Sequence, residues 1–370
     1  MENEDYMRRA ITLAEKGRGY TNPNPVVGAV IVKDGRIIGE GYHERCGELH
    51  AERNALAACT EDPAGATMFV TLEPCCHYGK TPPCTEAIIE AKIARVYVGS
   101  ADPNPLVAGK GVAILREAGI EVTEGFLKEA CDNLNRVFFH YITTKRPYVT
   151  LKYAMTADGK IATATGQSQW ITGETARRDV HRLRHENAVI MVGIGTVLTD
   201  DPMLNCRIDD GLDPVRVICD TSLKIPLSSQ IVKTAKDVPT ILATCVGEEN
   251  APLSAGKSEK TARLVEAGCE LMTVPMRDGT TDLFEIMKRL GERELDSVLL
   301  EGGAGLAYSA MADRLVNRVI SYIAPKIFGG SSAKTPVGGH GVESPSQAFA
   351  MKLREIRDLD GDLRMEYEVI

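Results

Sequence analysis

Two successive runs of alternating strand and helix patterns, parted by Thr143-Thr144-Lys145-Arg146-Pro147, set the frame for this chain. Proline cannot continue a helix and pushes the residue before it into an extended shape. Strands that alternate with helices build layered α/β domains. A length of 370 residues is long for one core and suits two. The expectation is an α/β protein with domains over 1–145 and 146–370.

Within the first run, Tyr6 to Lys16 carries Met7, Ala10, Ile11 and Ala14 at helical spacing. Val26 to Val32 and Ile37 to Glu40 flank the turn Lys33-Asp34-Gly35-Arg36 and read as a hairpin. His50 to Cys59, Thr85 to Ala91, Gly111 to Ala118 and Leu127 to Ile142 read as helices; Thr67 to Leu72, Arg95 to Gly99 and Glu121 to Thr123 read as strands. In the second run the strands are Tyr148 to Ala154, Ala188 to Val192, Val215 to Asp220, Thr240 to Thr244, Ser297 to Leu300, Arg318 to Ala324 and Leu363 to Val369. Helices are expected over Glu174 to His185, Thr261 to Ala267 and Leu283 to Leu290, and a polar surface loop over Cys245 to Ser258.

Charge narrows the function. The net charge is -8, without a basic stripe to grip a phosphate backbone. This argues against a nucleic-acid partner and for a small substrate. No apolar stretch reaches bilayer-spanning length, and the start Met1-Glu2-Asn3-Glu4-Asp5 lacks the basic and apolar regions of a signal peptide. The 10 irregularly spaced cysteines do not form a secreted disulfide framework, so a cytoplasmic location is expected. Cys46, Cys59, Cys131, Cys206, Cys219, Cys245 and Cys269 are read as small buried hydrophobes.

The remaining cysteines carry chemistry. His50 and Glu52 lie in Leu49-His50-Ala51-Glu52, and Cys75 and Cys84 bracket an insert with Gly79, Pro82 and Pro83. One imidazole and two thiolates are three protein ligands, which leaves the fourth tetrahedral position of zinc open, as in catalytic sites. A carboxylate beside that position can shuttle protons. The pattern H-x-E followed by P-C-x-x-C is the general signature of zinc deaminases, and the spacing from Cys75 to Cys84 is wider than that C-x-x-C. Cys75 is expected where a helix begins, since a helix N-terminus favours a thiolate. A structural zinc with Cys76 or His77 as fourth ligand is the competing reading.

The resemblance is to the bifunctional deaminase–reductases of riboflavin biosynthesis. It rests on the insert Gly79-Lys80-Thr81-Pro82-Pro83, on Thr21-Asn22-Pro23-Asn24-Pro25-Val26-Val27-Gly28 and on Asp102-Pro103-Asn104-Pro105-Leu106-Val107-Ala108-Gly109. In the second half it rests on Lys152-Tyr153-Ala154, Asp158-Gly159-Lys160-Ile161-Ala162, Ser168-Gln169-Trp170-Ile171-Thr172, Gly193-Ile194-Gly195-Thr196-Val197 and Glu301-Gly302-Gly303. Cys76 and Met155-Thr156-Ala157 depart from the commoner family residues.

The resemblance implies a cytidine-deaminase-like zinc domain followed by a dihydrofolate-reductase-like domain that uses NADPH. It implies that His50, Cys75 and Cys84 hold one zinc and that Glu52 carries protons. Asn24 and His43 would hold the pyrimidine; His77 and Lys80 would meet ribose and phosphate. Cofactor positions fall on Ala154, Trp170, Thr196, Asp200, Ser222 and Gly303, Ala304, Gly305, Leu306, Ala307, Tyr308 and Ser309. Substrate positions fall on Lys152, Ser168, Arg184, Leu204, Arg207 and Glu301. The implied substrate is 2,5-diamino-6-(5-phosphoribosylamino)pyrimidin-4(3H)-one. It would be deaminated hydrolytically to 5-amino-6-(5-phosphoribosylamino)uracil, whose ribosyl chain would then be reduced to ribityl. A homo-oligomer is expected, with neither nucleic acid nor membrane as partner.

The residues alone leave alternatives in the second half. No G-x-G-x-x-G follows a strand, so a Rossmann site is not supported. The glycines at 193–195 and 302–305 suit either an anion site or tight strand–helix packing. Arg184 and Arg207 are read as forks for a phosphate. Against these stand a core-packed Trp170, an Arg184 on a solvated helix face beside Arg177, Arg178 and Arg182, and a His43 exposed after the hairpin.

Overall fold

The computed structural model describes residues 2–78, 82–247 and 255–370, so Lys80 lies outside the described residues. The chain forms two compact units, Met1–Lys145 and Arg146–Ile370.

In the first unit, helix α1 (Asn3–Glu15) precedes the hairpin β1 (Gly28–Lys33) and β2 (Arg36–Tyr42). Then follow α2 (Ala51–Ala57), β3 (Thr67–Leu72), α3 (Cys84–Glu90), β4 (Arg95–Ser100), α4 (Lys110–Glu117), β5 (Glu121–Thr123), α5 (Lys128–Leu134) and α6 (Arg136–Thr144). The sheet order is β2-β1-β3-β4-β5, antiparallel around β1 and parallel from β3 to β5. Alternation along β1 divides the core. Ala29 and Ile31 pack with Val70, Ile88, Val98 and Leu115 on one face, while Val30 and Val32 pack with Met7, Leu13 and Phe69 on the other. A sheet covered by helices on both faces needs apolar residues on both, and β1 supplies them. The carboxyl ends of β3 and β4 deliver Glu73-Pro74-Cys75 and Asp102 to one edge, where open α/β sheets bind ligands.

The sequence suggests one helix over Leu127 to Ile142; the structure has two, α5 and α6, with a break at Asn135. The cause is tertiary. The buried Asn135 side chain accepts from Val26 N at 2.9 Å and donates to Val26 O at 2.9 Å, which pairs the backbone just before β1. That pairing is worth more than one uninterrupted helix.

The second unit begins with β6 (Tyr148–Thr156), α7 (Glu174–Glu186), β7 (Val189–Gly193), α8 (Ile194–Asp200), β8 (Val215–Cys219), α9 (Gln230–Lys233) and β9 (Thr240–Thr244). It continues through α10 (Ala255–Glu266), β10 (Cys269–Thr273), the small hairpin β11 (Met276–Arg277) and β12 (Thr280–Thr281), α11 (Leu283–Glu292), β13 (Ser297–Glu301), α12 (Ala304–Ala312) and β14 (Val316–Ala324). It ends with β15 (Met351–Leu359) and β16 (Asp362–Val369). The nine-stranded sheet has the order β10-β9-β8-β7-β13-β6-β14-β16-β15, parallel from β10 to β14 and antiparallel beyond. Register aligns Glu301 with Lys152, so β13 and β6 carry opposite charges to one edge.

Two expectations need correction here, and one strand is unforeseen. Helix α10 starts at Ala255, so the polar segment does not stay irregular through Ser258. The unforeseen strand is β15, a charged and mostly exposed run at the edge of its sheet, paired only with β16. Of the cysteines read as buried, Cys46 is exposed and Cys59 and Cys206 are half-buried; Cys131, Cys219, Cys245 and Cys269 are buried. Among the described residues, no helix is long and apolar enough to cross a membrane.

Candidate active sites: a His–Cys–Cys cluster and a charged cleft

In the first unit, His50 stands at the N-cap of α2 and Cys84 is the first residue of α3. Cys75 does not begin a helix, as the sequence suggests. Its sulfur nevertheless lies at the start of α3, where the Cys84 N–H donates to Cys75 Sγ at 3.3 Å. The favourable end of a helix is reached through space rather than along the chain. Arg53 braces the returning strand of the insert by donating to Pro82 O and Pro83 O at 3.2 and 2.9 Å.

His50 Nδ1 lies 3.4 Å from Cys75 Sγ and 3.5 Å from Cys84 Sγ, and the three ligand atoms all lie within 4.8 Å of one another. Tetrahedral bonding with Zn–N near 2.0 Å and Zn–S near 2.3 Å places nitrogen and sulfur about 3.5 Å apart. The donor set and its spacing therefore fit zinc. Among the described residues, no other His, Cys, Asp or Glu joins this cluster. Cys76 turns instead to Leu106 O, at 3.7 Å.

The Cys84 hydrogen bond, aided by His50, outweighs burial and holds Cys75 far down, at about 4. Cys84 is pushed up by the same bond and by burial. Its hydrogen bond to Cys75, against the pull of burial, raises His50. Burial raises Glu52, which is 3% exposed in the first turn of α2. A carboxyl group so placed exchanges a proton near neutral pH more readily than a solvated one.

His43 is 2% exposed, so it is no surface histidine. It sits edge-on to His50 with ring centroids 5.2 Å apart. With Nδ1–H donated to Leu49 O at 3.0 Å, Nε2 accepts from Asn24 Nδ2 at 3.3 Å. Burial lowers its pKa, which keeps it neutral. His77 Nδ1 is buried without a hydrogen bond among the described residues. Burial pushes nearby Asp102 up to about 6, against the Asn104 N–H that donates to it and pulls it down.

In the second unit a cavity of about 450 Å³ opens at the carboxyl ends of β6, β7 and β13. Its wall includes Lys152, Ala154, Ser168, Trp170, Arg184 and Thr196. Asp200, Leu204, Arg207, Glu301, Gly303 and Ala307 complete the set of expected residues brought together there. Ala304, Gly305, Leu306, Tyr308 and Ser309 ride on α12 outside that wall, and Ser222 is exposed on the loop after β8. Tyr308 donates to Gly341 O at 3.0 Å and lines a separate apolar cavity of about 270 Å³. Gly303, at φ 87°, takes a left-handed backbone that favours glycine, while an added Cβ there would meet only ordinary contacts.

Charge organises this cleft. Arg184 Nε and Nη2 donate to the two oxygens of Glu301 at 2.8 and 3.0 Å, and Nη1 donates to Asn205 O at 2.9 Å. Lys152 Nζ stands 3.5 Å from the same carboxylate. Arg184 is thus neither on a solvated face nor a free fork: Glu301 occupies its side-on edge, leaving one N–H on each terminal nitrogen. Burial alone would raise Glu301, but Arg184 and Lys152 together hold it at about 2. Burial lowers Lys152. Trp170 is 60% exposed rather than core-packed, with the Arg177 guanidinium 4.8 Å above its ring and Lys326 Nζ 2.6 Å from Ile171 O beside it. Ser168 Oγ donates to Asp200 at 3.0 Å. Arg53, Arg177 and Lys326 are structural supports that motif spacing does not reveal; each acts on a backbone carbonyl or a ring.

Known proteins resemble this chain in both halves. The model of the cytidine and deoxycytidylate deaminase zinc-binding region matches residues 1–100, and that of the RibD C-terminal domain matches residues 147–365. The riboflavin biosynthesis protein RibD of Actinobacillus pleuropneumoniae is 52% identical over 370 residues, covering 100% of this chain and 96% of the relative. That of Escherichia coli K12 is 40% identical, covering 98% of each. The chain belongs to the RibD family of riboflavin biosynthesis. It therefore joins a zinc-dependent deaminase to a reductase in one polypeptide. The solved Acinetobacter baumannii RibD superposes with a TM-score of 0.86 at 37% identity, over 99% of this chain and 98% of the other. The Thermotoga maritima diaminohydroxyphosphoribosylaminopyrimidine deaminase/5-amino-6-(5-phosphoribosylamino)uracil reductase gives 0.85 at 39% identity, with the same coverage.

Proposed function

We propose that Met1–Lys145 deaminates 2,5-diamino-6-(5-phosphoribosylamino)pyrimidin-4(3H)-one and that Arg146–Ile370 reduces the ribosyl chain of the product with NADPH. The observation that carries this reading is the cluster of His50, Cys75 and Cys84 at zinc spacing, with buried Glu52 two residues from the histidine. When bound there, zinc supplies Lewis-acid activation of water. Glu52 as carboxylate takes the water proton and, once protonated, returns one to the departing ammonia; burial raises its pKa and so makes it the stronger base. Neutral His43 fixes the Asn24 amide, and the two orient the pyrimidine. His77 and Lys80 meet the ribose and phosphate.

In the second unit NADPH supplies the hydride. Glu301, pinned by Arg184, and Lys152 orient the reacting end of the sugar. Arg207, Ser168 and the two remaining Arg184 N–H groups hold the rest of the substrate, with Leu204 as an apolar wall. Trp170, Thr196, Asp200, Ala154 and the turn at Gly303 form the cofactor side, to which Ser222 and Ala304 to Ser309 belong by family position. The protein works in the cytoplasm as a homo-oligomer.

The test is stepwise conversion by the zinc-loaded chain. Ammonia release precedes NADPH oxidation when the diaminopyrimidine phosphate is supplied. A chelator stops ammonia release but leaves oxidation of NADPH by the deaminated intermediate. Oxidation of NADPH by the undeaminated compound at an equal rate would overturn the order of steps.

A further inference from the structure

We infer that Glu73 is a positioning residue for the deaminase: a carboxylate latch that holds the Asp102–Gly109 loop and the start of α4 against the Cys75 turn. Glu73 is 4% exposed and stands two residues before Cys75. Its Oε2 accepts from Asp102 N at 3.3 Å and Gly109 N at 3.0 Å, and its Oε1 accepts from Val112 N at 3.3 Å. One side chain thus gathers both ends of the loop and the first turn of α4. That helix begins at Gly109, at φ 80°, with no side-chain cap from its own segment. Free N–H groups at a helix start need an acceptor, and a negative one suits the helix dipole. Glu73 provides it from another element.

The approach is close enough to exclude a side chain. A Cβ on Gly111 would lie 2.2 Å from Pro74 O, the carbonyl immediately before Cys75. The far side of the loop also meets the ligand turn, because Cys76 Sγ reaches Leu106 O. Within the loop, Asp102 Oδ1 accepts from Asn104 N at 2.8 Å and Asn104 Oδ1 from Leu106 N at 3.1 Å. The loop is therefore tied at both ends to Glu73 and along its length by its own side chains, and it packs against the Cys75–Cys76 turn. Glu73 bonds backbone N–H groups of the loop and α4 rather than the side chains of His50, Cys75 or Cys84, so it governs where substrate rests more than whether zinc binds. This inference rests on the deaminase reading above.

The experiment compares Glu73→Gln with the parent chain, both zinc-loaded. An amide retains one acceptor oxygen and turns an NH₂ toward an N–H donor, so it satisfies one side of the latch only. Amide hydrogen exchange at Asp102, Gly109 and Val112 speeds up. KM for the diaminopyrimidine phosphate rises about 10-fold, the lower end of the cost of losing a supporting partner, while kcat changes little. Zinc stoichiometry and the reductase rate stay at parent values. Gly111→Ala drives α4 off Pro74 O and brings its Cβ to 3.3 Å from Glu73 Oε1, so it strains the latch while keeping the carboxylate, and it gives the same KM signature; it decides the matter if Glu73→Gln fails to fold. Faster exchange with unchanged KM, or loss of zinc accounting for all loss of rate, overturns the latch. If the parent itself does not deaminate this compound, the assigned substrate fails, and the exchange pattern alone still judges the latch.

Discussion

The two units place their chemistry at the same kind of address, the carboxyl ends of parallel strands, but assemble it differently. In the first unit the proposed metal ligands fall between positions 50 and 84, and short backbone hydrogen bonds hold them. In the second unit the cleft wall draws on residues from Leu151 to Pro336, and a buried cluster of Lys152, Arg184 and Glu301 organises it. A metal site gains its binding energy from the ion, so its ligands need only converge. A cleft without an ion must balance its own charges. The contrast predicts that the first site fails by losing a group or its metal, and the second by losing charge balance.

The largest effect tests the first half of that contrast. Replacing Glu52 by Gln removes the proton carrier and leaves the ligand atoms in place. Deamination falls about 10²- to 10⁴-fold, as for a lost general acid–base. Zinc content, read by metal analysis, stays at one per chain, and the reductase rate is unchanged. Full deaminase activity in this variant would reject the mechanism, and loss of zinc would show that Glu52 serves the metal instead.

The second half is tested by Glu301→Gln. Two half-buried cations, Lys152 and Arg184, then remain without their buried carboxylate. Removing one member of a buried ion cluster costs about 3–5 kcal/mol, read as denaturant stability of the second unit. The pH dependence follows the same logic. Glu301 is held at about 2, below its ordinary value of 4.5. A depressed carboxylate contributes stability above the ordinary value and loses it as pH falls toward the folded one, here from roughly 4.5 to 2. The parent loses about 3 kcal/mol across that window from this group. Glu301→Gln shows a flatter acid limb, and an unchanged limb would place the stabilising charge elsewhere.

Legibility followed the same division. His50, Glu52, Cys75 and Cys84 are visible because their residue types are rare and their spacing is chemically purposeful. The strands Thr67–Leu72, Glu121–Thr123 and Thr240–Thr244 are legible to the residue, since apolar or β-branched runs end in turn signals. Long-range pairing was not legible. Nothing near Asn135 announces Val26 as its partner, and nothing near Arg184 announces Glu301, 117 positions away. Glu73 adjoins the Pro-Cys signal, yet its three acceptor bonds reach 29 to 39 positions ahead. Groups that act on backbone leave no motif, because every residue offers the same N–H and C=O.

A smaller effect probes the break between α5 and α6. Asn135→Ala leaves the amide and carbonyl of Val26 buried and unpaired. This costs about 1–3 kcal/mol of stability in the first unit. Thermal unfolding with both activities followed shows the deaminase lost at lower temperature while the reductase midpoint holds. A helix that closes over Asn135 with no loss of stability would mean that the local helical preference, not the Val26 pairing, was the stronger term.

The smallest effect sharpens the reading of the metal cluster. Cys76→Ser keeps a polar hydrogen on the same side chain; its shorter C–O bond leaves the hydroxyl out of reach of Leu106 O, where the thiol stands at 3.7 Å, and water satisfies it instead. Stability stays within about 0.5 kcal/mol, as for a half-buried polar exchange. Zinc affinity, measured against a competing chelator, stays at the parent value, because Cys76 turns away from the cluster of His50, Cys75 and Cys84. A structural site with four protein ligands would behave otherwise: removing the fourth sulfur would weaken the metal severalfold or more. A steep fall in affinity in this one variant would therefore convert the open catalytic position into a closed one and remove the ground for hydrolysis there.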